Sequence, residues 1–199
     1  RKNVNTFTTK DRLRSPFIGV DFYIHDNMGD TSWSPRLTFG TSGFLGASHR
    51  SNALASRDGS GGEFIKYEQS LRRIQRMPFD SYMVMRTQFQ TTNHTLTYSD
   101  QMQLGGANSI RGYPEGDYLA DIGAVANFDW VFPCYFIPKT CVAGKPNTQL
   151  YRKIEPVIFA DIGGGKRLKT DVGEKPHKFL MGLGAGVRIH PSDNFTIRL

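Results

Sequence analysis

The chain lacks any run approaching the roughly 18 apolar residues that a membrane-crossing helix requires, and its mean hydropathy is −0.42. That excludes a bundle of membrane helices but leaves a membrane barrel open. Barrel strands alternate lipid-facing and lumen-facing residues, so they average to a soluble-looking value. Cysteine is scarce, with only Cys134 and Cys141. They bracket a proline-containing segment with no neighbouring histidine or second cysteine pair, which does not fit a zinc site. What remains is either two free thiols or a disulfide closing a small loop in an oxidising compartment. The histidines, His25, His49, His94, His177 and His190, are scattered without a helical metal spacing. There is no Gly-x-Ser-x-Gly elbow, and Gly163-Gly-Gly-Lys166 lacks the spacing and the following helix of a phosphate loop. The expectation is therefore a protein that is not an enzyme and takes no cofactor, metal or small-molecule substrate. A single basic patch is also missing. The net charge of +7 is spread from Arg1 to Arg198, which argues against a nucleic-acid partner and suits basic side chains facing a hydrated lumen.

What the chain does have is glycine, 21 in 199 residues, and 12% aromatics, set among period-2 runs. These read as about eight strands: 16–26, 36–44, 63–77, 81–92, 118–132, 150–163, 179–190 and 194–199. The alternation is clearest in two of them. Ala124, Ala126, Phe128, Trp130 and Phe132 share one face, opposite Asp121, Gly123, Asn127 and Asp129. Phe179, Met181, Leu183, Ala185, Val187 and Ile189 likewise oppose a face of mostly glycine ending in Arg188 and His190. An apolar face ending in aromatics suits lipid and its interface. In the strand 63–77, Glu68, Arg72 and Arg73 interrupt the pattern, and a bulge or a rim position would account for them. Residues 78–80 and 191–194 read as short turns. Residues 45–62, rich in Ser, Gly and Ala, read as a mobile surface loop.

The most informative segment is Leu104-Gly-Gly-Ala-Asn-Ser-Ile-Arg-Gly-Tyr-Pro-Glu-Gly-Asp117. It is too long for a hairpin turn, and a long loop in a compact β pattern is usually functional or disordered. A charged Arg111 beside Gly112 and Tyr113 indicates a loop that packs in a definite place. Downstream, Phe159, Asp161 and Gly163 fall on one face of a strand.

Taken together, Gly105-Gly106-x-x-Ser109-x-Arg111-Gly112-Tyr113, then Asp121-x-Gly123, then Phe159-x-Asp161-x-Gly163 resemble the signature of the outer-membrane surface-antigen superfamily. That superfamily holds BamA-type assembly factors and the TpsB transporters of two-partner secretion. Leu71-Arg-Arg-Ile-Gln-Arg-Met-Pro78, followed by a strand and then the loop, resembles the TpsB branch, the haemolysin activation/secretion transporters.

The resemblance implies an all-β fold, a transmembrane antiparallel β-barrel of which these are about eight strands of an expected 16. It implies one outer-membrane barrel domain over residues 1–199, with the periplasmic modules and the last strand outside this chain. It also implies Arg111 folded back into the lumen against Asp161, with Phe159 beside the pair and Gly163 leaving room for the loop backbone. Tyr113 would stack in the lumen or face water, and Gly105, Gly106, Asp121 and Gly123 would give secondary support. The implied activity is export of a secreted exoprotein across the outer membrane, in contact with its lipid and driven by folding outside. Barrel insertion, as by BamA-type factors, is the related alternative. A soluble or surface ligand-binding β-sandwich is the alternative of another class, and it would need the Trp130 and Met181 faces to form its core.

Overall fold

Alternating runs broken by Asn-Met-Gly, Met-Pro-Phe-Asp and glycine-rich segments can satisfy their backbone groups only by pairing with sequential neighbours. The computed structural model, which describes residues 9–49, 54–138, 140–141, 151, 153–170, 173–192 and 195–198, shows that meander. The strands are β1 (Phe17–Gly19), β2 (Phe22–Asp26), β3 (Gly29–Phe39), β4 (Ile65–Arg76), β5 (Tyr82–Thr92), β6 (Met102–Leu104), β7 (Tyr118–Ala120), β8 (Ile122–Val131), β9 (Ile154–Lys166), β10 (His177–Ser192) and β11 (Phe195–Arg198). The main sheet runs β1-β3-β4-β5-β8-β9-β10-β11, with β2 also on β3, and every pairing is antiparallel. Its two edges do not meet among the described residues. Short 3-10 turns are the only helical pieces described, and no helix is long and apolar enough to cross a membrane.

Several boundaries differ from the sequence reading, each for a local reason. Residues 16–26 form two strands in one register on β3, interrupted opposite Pro35. The Val20 amide donates to the Pro35 carbonyl at 3.2 Å, but Pro35 has no N–H to return the bond. The second strand begins at Gly29, not residue 36, because backbone pairing overrides the turn-like Asp-Thr-Ser-Trp-Ser-Pro composition. β4 contains no bulge and pairs without interruption on both sides. Glu68 and Arg72 simply lie on its inner face. Arg73 lies on the outer one, near the turn end, where it reaches Asp26 at 2.9 Å and the Thr31 hydroxyl at 2.7 Å. The strand expected over 118–132 breaks at Asp121 into β7 and β8. Leu150, Asn194 and Leu199, which bounded two of the expected strands, lie outside the described residues.

The two faces of the sheet have opposite chemistry. On the outer face Phe179, Met181 and Leu183 are 67%, 57% and 71% exposed, joined by Trp130, Ile158 and Ile162. On the inner face Asp121, Asp129 and Asp161 are buried, and the segment 101–120 lies over them as the small β6-β7 hairpin and its loop. Met102, Leu104, Ile110, Tyr118, Ala120, Val125 and Leu180 form the core between that segment and the sheet. Part of the segment that composition marks as a surface loop, residues 54–62, packs inward, with Arg57 and Ser60 buried. Tight turns join β2 to β3 and β4 to β5 at one end. The connection holding Cys134 and Cys141 is at that same end, with the Tyr135 hydroxyl donating to the Phe79 carbonyl, so the rule of short turns there has an exception. The bridge considered between Cys134 and Cys141 is not formed, and both are free thiols.

Candidate functional site: a loop anchored on the inner face

Arg111 reaches the sheet because two backbone features let its loop approach. Gly105, Gly106 and Gly112 take positive φ of 97°, 100° and 92°, a region open to glycine, so the loop folds tightly back on itself. Gly182, on β10 and paired with Asp161, leaves the space the loop backbone occupies: a Cβ there would lie 2.3 Å from the Arg111 carbonyl oxygen. Gly163 serves a neighbouring need. Its missing side chain makes room for Ile110 and the β8 backbone, not for the Arg111 backbone.

The guanidinium then meets three groups. Nε donates to Asp161 Oδ2 at 2.7 Å and Nη2 to Asp161 Oδ1 at 2.6 Å, a bidentate pair, while the Arg111 backbone amide donates to Oδ2 at 3.0 Å. Nη2 also donates to Asp129 Oδ1 at 2.6 Å. Phe159, two residues before Asp161 on the same face, places its ring 3.8 Å from the guanidinium carbon, so cation–π attraction holds the flat side. Asn127 donates to Asp161 Oδ1 at 2.8 Å and to the Ser109 carbonyl, tying sheet to loop beside the ion pair. Tyr113 lies against the inner core, its hydroxyl donating to the Met181 carbonyl at 3.2 Å.

Asp129, which strand alternation places on the inner face, is shared by three cations. Besides Arg111 it accepts from Arg86 at 3.0 Å and Arg188 at 2.8 Å. The alternation of β5, β8 and β10 places all of these on the inner face. No spacing in the chain shows which cation meets which carboxylate, because the contacts join positions 18 to 59 residues apart.

Asp121 and Gly123 do not touch Arg111. Gly123 lies beneath Met102 of β6. Asp121 occupies the bend between β7 and β8 and belongs to a second ionic cluster, with the buried Arg57 as its partner. Burial acts to raise its carboxyl, but the Arg57 guanidinium and the Leu168 and Leu96 amides outweigh this and hold it below the ordinary carboxylate value. Among the described residues, no group of His, Cys, Asp and Glu is placed to hold a metal.

Long antiparallel strands with an apolar outer face, an ionic inner face and a loop tucked against the latter define the wall of a membrane β-barrel. The family of haemolysin secretion/activation proteins ShlB/FhaC/HecB matches residues 26–189, and the chain belongs to it. That is the TpsB family, transport proteins of two-partner secretion that are outer-membrane β-barrels. In structure the chain is similar to CdiB from Escherichia coli, with a TM-score of 0.64 and 17% sequence identity over 90% of this chain. That likeness is one of fold, and it spans 31% of the CdiB chain. No curated protein sequence matches this one closely enough to count as a relative.

Proposed function

We propose that this chain is part of an outer-membrane transporter that exports a partner polypeptide, an exoprotein, in two-partner secretion. It is integral to the outer membrane and contributes wall strands to a single barrel domain, whose periplasmic modules and remaining strands belong to the rest of the protein. The inserted loop organises the pore, and no catalytic step or cofactor is involved. The observation that carries this reading is the bidentate Arg111–Asp161 pair, because it fixes a long loop inside the barrel at one point.

The open part of the inner face supports it. Beside the loop lies a polar cavity of about 640 Å³, with Ser34, Ser70, Gln88, Gln90, Gln103 and Asn108 among its lining. The charged Asp21, Arg36, Lys66, Glu68, Asp100 and Glu115 also line it, and a mixed polar wall of this kind offers donors and acceptors to the backbone groups of an extended chain. The ligand-binding sandwich reading has no support from burial, since the Trp130 and Met181 faces it needs as a core are outward and exposed.

The test is a reciprocal charge exchange in the full-length parent, scored by delivery of the co-encoded exoprotein to the surface. Arg111→Asp and Asp161→Arg each leave buried charge uncompensated, a cost of about 3–5 kcal/mol, so each should abolish export. The double exchange should restore part of it. Full recovery is not expected, because an acid at 111 would face Asp129. Wild-type export from both single variants would overturn the reading of the loop as an anchored pore element.

A further inference from the structure

A second ionic centre, separate from the Arg111 anchor, lies at the long-loop end of the sheet. Arg57 stands in the connection between β3 and β4, in a stretch of Ser, Gly and Ala with no pattern to mark it. It is 5% exposed, and Asp121 is fully buried. Arg57 Nη1 donates to Asp121 Oδ1 at 2.8 Å and to the Leu96 carbonyl at 2.6 Å; Nη2 donates to Asp121 Oδ2 at 3.2 Å and to the Lys169 carbonyl at 2.9 Å. Asp121 is saturated from the other side by the Leu96 amide, the Leu168 amide and the Gln101 side chain, at 2.8 to 3.1 Å. A further ion pair, Lys169 with Asp58 at 2.9 Å, repeats the link at the surface.

These contacts join three separate connections: β3 to β4, β5 to β8, and β9 to β10. In the sheet, β4 and β9 are separated by β5 and β8, so three strand spacings, roughly 14 Å, lie between the first connection and the last. Bonding between neighbouring strands does not require such a bridge, and its charges are costly to bury. Arg111 acts elsewhere, on the inner face between β8 and β10. Removing Arg57 therefore leaves the loop anchor in place while cutting the buried link from the β3–β4 connection to the other two; the Leu168–Asp121 bond and the exposed Lys169–Asp58 pair remain.

The tight β2-β3 and β4-β5 turns lie at the opposite end, and outer-membrane barrels keep their short turns in the periplasm, so the long-loop end is the outer one. We propose that Arg57 and Asp121 form a clasp that holds the outer mouth of the pore closed, and that the clasp must open for an extended polypeptide to leave. The proposal rests on the reading of the chain as part of a pore-forming barrel. Arg57 is a positioning residue, since it acts by holding the loops together. Its flat fork is what the geometry uses: a lysine ammonium can reach the Asp121 carboxylate but cannot also cap the Leu96 and Lys169 carbonyls in one plane.

The experiment uses the purified full-length parent in planar bilayers, without exoprotein, with heat-modifiable gel mobility as the check on folding. The variants are Arg57→Gln, Arg57→Lys and the double Arg57→Gln/Asp121→Asn. The double is the key variant, because it leaves no lone buried charge and so keeps the fold. A severalfold rise in steady current, with new protease cleavage in residues 54–62, is expected for Arg57→Gln and for the double. Arg57→Lys should fall between these and the parent. Folded double and lysine variants with the parent's current and the parent's protease pattern would overturn the clasp. If both glutamine variants fail to fold, Arg57→Lys decides by the same two readouts. Surface delivery of the exoprotein is scored separately. A parent that exports nothing beside variants that leak removes the transport reading and keeps the clasp, whereas an exporting parent beside tight variants does the reverse.

Discussion

Arg111 is held by more than the carboxylate that its motif pairs it with. The Asp161 fork, the Asp129 oxygen and the Phe159 ring surround one guanidinium, so losses at these positions should be graded. Phe159→Leu removes a cation–π contact worth about 0.5–2 kcal/mol and keeps both ion pairs, so export should weaken without vanishing. Asp129→Asn keeps the Asp161 fork but leaves Arg86 and Arg188 without their shared anion. It should destabilise the barrel more than Phe159→Leu, as read by the urea midpoint in detergent. Arg111, Phe159 and Asp161 were legible in the sequence because each stands in a short motif with a physical role. Asp129 and Arg57 were not, because a single charged residue on an alternating strand or in a polar loop has many possible partners.

Among the elements, β10 shows how a strand makes room for a loop. Its inner face reads from sequence as mostly glycine, and at Gly182 the absent side chain leaves room for the Arg111 backbone. Gly182→Ala should push the loop off the sheet while leaving the β9-β10 ladder intact. Faster proteolysis between residues 105 and 117 with unchanged gel heat-modifiability is the expected result. The bend at Asp121 yields a pH prediction. Its folded carboxyl value is depressed, so its contribution is complete above the unfolded value of about 3.9 and is lost as pH falls through the lower folded value. Current through the parent should therefore stay flat from about pH 7 to about pH 5 and rise only below about pH 4. Alternation within β8 and β10 was plain in the sequence. The break at Asp121 was not, since it arises from the Asp121 amide donating to the Lys166 carbonyl while the side chain takes bonds from other loops.

For the whole molecule, the sheet departs from a water-soluble sandwich: its outward face is apolar and exposed, while the buried ionic side chains lie on the inner face beside a small apolar core. Such an arrangement is stable only with lipid against the outer face. Trp33 and Trp130 both lie on outward positions of their strands, paired with Leu71 and Ile158. In the full-length parent with any other tryptophans replaced, brominated lipid should quench both strongly, whereas aqueous iodide should not. The reverse pattern would place these faces in a protein core and remove the barrel assignment.

The sequence by itself determined the strand pattern, the outward and inward faces, the family and the loop that carries Arg111. These follow from period-2 alternation and from short motifs, which are local properties of the chain. Only the tertiary structure decided that Asp129 gathers three cations, that Gly182 and not Gly163 admits the loop backbone, and that Asp121 belongs to Arg57. The reason is physical: an ion pair depends on distance in space, and these partners are brought together by strand register and loop packing across tens of residues. Local patterning selects a face, and the fold selects the partner on it.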